Sequence, residues 1–262
     1  IGKKKNVTPR IILLDYDDNG VRESEITTAD LADKTRFAHG IQWISVHGLG
    51  DTRMMEQIGA CFDLHPLGLE DIFNTDQRSK LEDYGDYLYV VLKIFSCEYN
   101  GTEERIDSDQ ISLVLGKNFV LSFLETDDTH FGAVRERLRA GKGQIRQSGP
   151  DFLMYSLIDS IVDSYFVTLE QFDEKTEVLE TELITHPQPS TLHSIYRLKR
   201  EGVFLRKSLW PLREVISSLQ RGDSPLFTRN TLLYLRDVYD HIIHIIESVE
   251  SLRDLTAGML DI

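Results

Sequence analysis

TRNTLLYLRDVYDHIIHIIESVESLRDLTAGMLDI, Thr228–Ile262, places apolar side chains at Leu235, Val238, Ile242, Ile245, Val249, Leu252 and Met259, with Thr256 completing an unbroken 3,4 spacing. Such a seam predicts one long helix that wants partner helices along its length. At ~1.5 Å per residue the helix is about 50 Å long. Neither a capping Asn or Gly nor a following Pro closes it, so it is expected to run on past Ile262. Tyr239, Ile243 and Ile246 add a second row, which makes the apolar face wider than a two-stranded seam needs.

Working outward, Gly222-Asp223-Ser224-Pro225 breaks the chain before this segment, and a helix hairpin precedes the break. Its first arm runs from about Asp151 to Ile184 and stops at His186-Pro187-Gln188-Pro189. Ser190 is then expected to cap a second arm that reaches Gln220, with Pro211 kinking it by removing one backbone bond. The first arm carries Asp151, Asp159, Asp163, Glu170, Asp173, Glu174, Glu177, Glu180 and Glu182 against Lys175. The second carries Arg197, Lys199, Arg200, Arg206, Lys207 and Arg213. Either the arms pair with each other, as charged helix faces do, or the surplus carboxylates concentrate cations.

Up to Ile145 the pattern changes. Short runs rich in Val, Ile, Leu, Phe and Tyr predict strands at Arg10–Tyr16, Gln42–Val46, Tyr87–Phe95, Gln110–Leu115 and Phe119–Phe123, the last two joined by a Gly116-Lys117-Asn118 turn. Helical stretches fall at Ala29–Ala38, Asp51–Phe62, Pro66–Phe73 and Phe131–Arg139, with Pro66 in a first turn that tolerates it. Gly141–Pro150 reads as a hinge. The expected class is α+β: an N-terminal α/β layered domain with a small mixed sheet (1–145), a long antiparallel helical hairpin (150–221) and a long C-terminal helix (226–262).

Composition narrows the function. At 262 residues, 41% hydrophobic and 27% charged, the chain can bury a full core and is not disordered. A formal charge of -14 argues against nucleic acid, whose binding needs a cationic footprint. Cys61 and Cys97 have no metal-ligand spacing, which suggests buried thiols in a reducing compartment. No run of ~18 apolar residues is present, and Lys3, Lys4 and Lys5 precede no apolar stretch like that of a signal peptide, so this segment is expected to be soluble.

No catalytic motif survives inspection. Gly48-Leu49-Gly50 lacks the third glycine and lysine of a phosphate-cradling loop. Acidic residues stand out instead. Glu70-Asp71 lies in a helix, where adjacent residues diverge and cannot both face inward on one side. Asp159 sits on an apolar face among Leu157, Ile158, Ile161 and Val162, and Asp237 lies beside Leu235 and Val238. Either an arginine such as Arg213 or Arg236 pairs with them, or a metal does, because an unpaired aspartate is costly to bury. Asp237, Asp240, His241 and His244 fall one turn apart. That spacing suits Zn²⁺ or Co²⁺, or hydrogen-bonded packing neighbours, and no third ligand is visible nearby.

HPLGLEDIFNTDQRSKLEDYGDYLYVVLK (His65–Lys93), YSLIDSIVDSYF (Tyr155–Phe166), LWPLREVISSL (Leu209–Leu219) and LRDVYDH (Leu235–His241) occur in an order that resembles the cytoplasmic part of the CorA family of divalent-cation channels, nearer its magnesium and cobalt branch than its zinc-transporting relatives. The resemblance implies a homopentameric funnel on the cytoplasmic face of the inner membrane. In it, 226–262 is a stalk leading into membrane spans that lie outside this sequence, as does the Gly-Met-Asn signature. It further implies regulatory Mg²⁺, with Co²⁺ or Ni²⁺ as alternatives, shared between Asp71 of one subunit and Asp237 of the next. Glu70 and Asp159 would form a second site beside it, and Asp261 an acidic ring near the pore mouth. Mg²⁺ keeps most of its waters and suits such a sparse pair. Without it, two carboxylates ~6 Å apart repel by roughly 3 kcal/mol at an effective dielectric of 20. The rivals are a soluble oligomeric coiled-coil scaffold and a metal-dependent hydrolase using Asp237, His241 and His244.

Overall fold

The computed structural model describes residues 7–32, 40–100, 103–126 and 130–261. Seven strands, β1 (Arg10–Tyr16), β2 (Val21–Ile26), β3 (Ile41–His47), β4 (Lys80–Asp83), β5 (Leu88–Asn100), β6 (Glu103–Leu115) and β7 (Phe119–Leu124), form one sheet in the order β2-β1-β3-β7-β6-β5-β4. All neighbours are antiparallel except β3 and β7, which run parallel with Ile44 beside Leu121, so the sheet is mixed. All five expected strands are present. Gly116 N–H donates to the Phe119 carbonyl at 2.9 Å and closes the β6–β7 turn. The sheet is larger than expected because β2 (VRESEI) and β4 (KLED) join it at its two edges. Edge strands meet solvent and carry charge, so neither shows the apolar run by which a strand is recognised.

The helices are α1 (Thr28–Ala32), α2 (Thr52–Cys61), α3 (Pro66–Phe73), α4 (Gly132–Ala140), α5 (Pro150–Thr185), α6 (Pro189–Arg221) and α7 (Arg229–Gly258), followed by a 3-10 turn at Met259–Asp261. The helix expected at Ala29–Ala38 is α1 as far as Ala32, and its remainder lies outside the described residues. The second arm starts one residue before the expected Ser190 cap. Gln188 is the N-cap and Pro189 fills the first turn, while the Gln188 N–H donates to Thr191 Oγ1 at 3.1 Å in a reciprocal box. The α6 helix runs on through Pro211.

Side chains alternate across the pleat, so the sheet has two apolar faces. Ile11, Leu13, Ile44, Val46, Tyr89 and Val91 pack with Met55, Ile58 and Ile72 from α2 and α3. Leu14, Tyr16, Trp43, Leu88, Val90 and Leu92 pack with α5, α6 and α7 in a second, larger core. That core supplies the partner helices that the seam was expected to need. The heptad seam of α7 finds its partners inside its own chain, because Leu235, Val238, Ile242 and Ile245 are fully buried against the other long helices. A wide apolar face is what a helix packed between two neighbours needs, and it carries no information about a pentamer.

By length and composition α5 could cross a membrane, but 67% of its apolar window is buried inside the chain. Leu153, Met154, Leu157, Ile158 and Ile161 are its core contribution. Asp151, at the start of α5 and 1% exposed, accepts from the backbone N–H of Thr228 at 2.9 Å and from its hydroxyl at 2.8 Å. Thr228 is in turn the N-cap of α7. One buried carboxylate in the first turn of α5 thus holds the N-cap of α7.

Candidate metal-binding site

The first acidic corner lies between α3 and β4. Helix α3 forms because His65 caps it, its Nδ1 accepting from the Leu67 N–H at 3.2 Å, and because Pro66 occupies the first turn. His65 is held by the Tyr87 hydroxyl, which accepts its N–H at 2.9 Å, and by ring stacking on Tyr84, itself stacked on Tyr87. At the other end of the helix, the Asp71 carbonyl accepts from Gln77 Nε2 at 2.8 Å and from Gln110 Nε2 at 3.2 Å. Asp71 is therefore fixed in the last turn, where the helix dipole is negative and favours a cation.

An open cleft of about 520 Å³ is lined by Leu67, Glu70, Asp71, Glu82, Asp83 and Tyr84. Glu70 and Asp71 both line it, Glu70 from the exposed side of the helix and Asp71 from the half-buried side. Asp71 is also not bare. Lys80 Nζ lies 2.5 Å from Asp71 Oδ2 and 2.8 Å from Glu82 Oε1. The repulsion expected between uncompensated carboxylates is correspondingly reduced. Although burial works against it, the bonds to Asp71 and Glu82 hold the Lys80 ammonium above its usual range. Lys80 and Glu82 are absent from the sequence expectations. Their signal was a Lys-x-Glu alternation that puts both on one face of a strand too polar to be read as one.

The second corner lies between α5 and α7. Asp159, Asp163 and His241 bring one ligand atom each to within 4.8 Å of one another. The Tyr155 hydroxyl donates to Asp159 Oδ2 at 3.3 Å, His241 Nε2 lies 3.8 Å from Asp237 Oδ2, and Phe166 meets the His241 ring edge-on at 5.7 Å. Burial, with the charge of Asp163 behind it, pushes the Asp159 carboxyl above the usual carboxylate range, against the Tyr155 bond and Arg137. His241 Nδ1 is buried without a hydrogen-bond partner among the described residues. Two carboxylates, one of them penalised as an anion, and an unsatisfied imidazole nitrogen form a donor set that a divalent cation fits.

This corner supplies the further ligand that sequence spacing could not show. Asp163 stands one turn from Asp159 on α5, on a different helix from His241, and only packing joins them. Arg213 is tied to Tyr239, Asp237 to His241, and Arg206 to Glu250 of α7 at 3.3 Å. Asp261 lies exposed in the 3-10 turn after α7. Within one chain, Asp71 and Asp237 belong to different corners.

The chemistry these corners offer is that of divalent-cation handling, on an α+β chain whose sheet is covered by long helices. The chain belongs to the CorA-like Mg²⁺ transporter family, whose sequence model matches residues 38–262. It is 43% identical over 252 residues to the cobalt/magnesium transport protein CorA of Thermotoga maritima, covering 96% of this chain and 71% of that protein. It is 27% identical to a putative metal ion transporter of Bacillus subtilis, of which it covers 66%. The fold matches the soluble domain of CorA from Methanocaldococcus jannaschii with a TM-score of 0.75 at 18% identity, covering 96% of this chain and 95% of that one. It also matches the ZntB cytoplasmic domain from Vibrio parahaemolyticus at 0.73 and 15% identity, covering 96% and 95%. The α+β class expected from sequence is therefore the observed one, and the fold alone does not choose the cation.

Proposed function

We propose that this chain is the cytoplasmic Mg²⁺-sensing and gating part of a homopentameric divalent-cation channel that takes up Mg²⁺, and also Co²⁺ or Ni²⁺, and that it is not an enzyme. Residues 1–145 form the rim, 150–221 the outer hairpin and 226–262 the stalk, which leads toward membrane spans outside this chain on the cytoplasmic face of the membrane. Asp71 of one subunit and Asp237 of the next share a hydrated Mg²⁺ that holds the closed state, with Glu70 and Asp159 beside it and Asp261 facing the pore mouth. Loss of the ion restores repulsion across each interface and biases the stalk toward opening.

The observation that carries this reading is the carboxylate cleft at the C-terminus of α3, where Asp71 is anchored through its backbone while its side chain reaches open space. The 43% identity to a protein named for cobalt and magnesium transport favours those ions over zinc. The thermal midpoint in rising Mg²⁺ tests it. Binding to the folded state alone adds about 2.7 kcal/mol at a hundredfold excess over Kd, and Asp71→Asn or Asp237→Asn is expected to abolish that rise. A rise that survives both substitutions removes these residues as the sensor.

A further inference from the structure

Lys80 bonds two of the four carboxylates that line the cleft of Glu70, Asp71, Glu82 and Asp83, namely Asp71 and Glu82, although it is not itself part of the lining. It extends from the edge strand β4, in register with Val91, and its ammonium sits 5.8 Å from the centroid of the Tyr89 ring. The Lys80, Asp71 and Glu82 side chains are 23%, 24% and 35% exposed, so the ammonium is half-withdrawn from water and its two carboxylates replace much of its hydration. Everything around it is fastened. The Asp71 carbonyl is clamped by Gln77 and Gln110, and Glu82 Oε2 is held by the Tyr84 hydroxyl at 2.8 Å, on a ring stacked between His65 and Tyr87. The ammonium, at the end of a four-carbon stem, bridges the two carboxylates, bonded to Asp71 and Glu82 at once.

We propose that Lys80 is the resident counter-ion of Asp71, a tethered ammonium that a divalent cation must displace to bind there and that retreats onto Glu82 when it does. The inference rests on reading Asp71 as ion-binding. An ammonium and a divalent ion cannot both hold the same carboxylate without strong mutual repulsion. A hydrated Mg²⁺ reaching Asp71 through one or two carboxylates gains less than a fully caged ion would, so a built-in competitor shifts its midpoint substantially. Lys80 thereby keeps the site from saturating at low ion concentration. Glu82 already holds the ammonium at 2.8 Å and retains it when the bond to Asp71 is lost.

Mg²⁺ titrations of this chain, read by heat of binding and by thermal midpoint, test it. Lys80→Met keeps the apolar stem without the charge and is expected to tighten Mg²⁺ about tenfold or more. Arg78→Met removes a nearby charge that has no contact with Asp71, and it is expected to change the midpoint less than threefold. Glu82→Gln removes the retreat and is expected to weaken Mg²⁺ more than Asp83→Asn, which takes the same charge from the same cleft without touching Lys80. Circular dichroism and the ion-free melting temperature check that each variant folds. If Lys80→Met binds Mg²⁺ no more tightly than wild type, or only as much more tightly as Arg78→Met, while Asp71→Asn abolishes binding, the counter-ion role is overturned and the Asp71 reading stands. Equal losses in Glu82→Gln and Asp83→Asn overturn the retreat. Wild-type binding by Asp71→Asn overturns both the reading and the inference.

Discussion

Asp159 is held at a cost that its neighbours only partly offset. Burial and the adjacent Asp163 favour its protonated form, so the folded chain binds that proton more tightly than the unfolded chain does. Stability is therefore lost as pH rises from about 3.9, the unfolded value, through the raised folded value, and the cost is full above it. Asp159→Asn is expected to melt at a higher temperature than wild type at pH 7, with the difference closing below about pH 3.5. Thermal melts across that range check this, and a gain that stays constant with pH would point to packing instead. Asp159 and Asp237 stand out because an acid among apolar residues is visible in a sequence, and the family resemblance adds the role of Asp71. Asp163, Lys80 and Glu82 were not singled out. Each is an ordinary surface charge until another element arrives beside it.

Among the elements, the junction of α5 and α7 depends on a single carboxylate. Asp151 accepts two hydrogen bonds from Thr228, whose own hydroxyl accepts the Thr231 N–H at 3.4 Å and caps α7. Thr228→Ala is expected to cost about 1 kcal/mol, the ordinary worth of a lost N-cap. Asp151→Ala leaves a buried N–H and hydroxyl without their acceptor and is expected to cost about 1–3 kcal/mol. Denaturant titrations of the two variants and of the double mutant check the link, and the double mutant should fall short of the sum because the residues act on the same bonds. The sequence showed these helices by their periodicity and their Pro and Gly boundaries. It did not show β2 and β4, whose polar residues answer to solvent at the sheet edges.

At the scale of the whole chain, the buried seam of α7 changes what a mutation there reports. Ile245→Ala opens a cavity in the shared core of sheet and helices and is expected to cost about 2–5 kcal/mol, independent of protein concentration. Leu233 and Leu255, 59% and 40% exposed, are the most exposed large apolar side chains on the same helix among the described residues. Leu233→Asp is expected to leave monomer stability within about 0.5 kcal/mol, and sedentation by analytical ultracentrifugation would show whether it weakens association. A concentration-dependent melt for Ile245→Ala would return the seam to a subunit interface.

The amino-acid order by itself determined the α+β class, the five apolar strands, the long helices with their breaks, the apolar seam and the acidic residues worth watching. These are properties of local spacing and side-chain chemistry. Only the tertiary structure decided that the seam closes within one chain, that Asp159 and Asp163 meet His241 and that Asp71 already holds a cation from Lys80. Each is a contact between residues far apart along the chain or on different elements, and it exists only once the sheet and the long helices share a core.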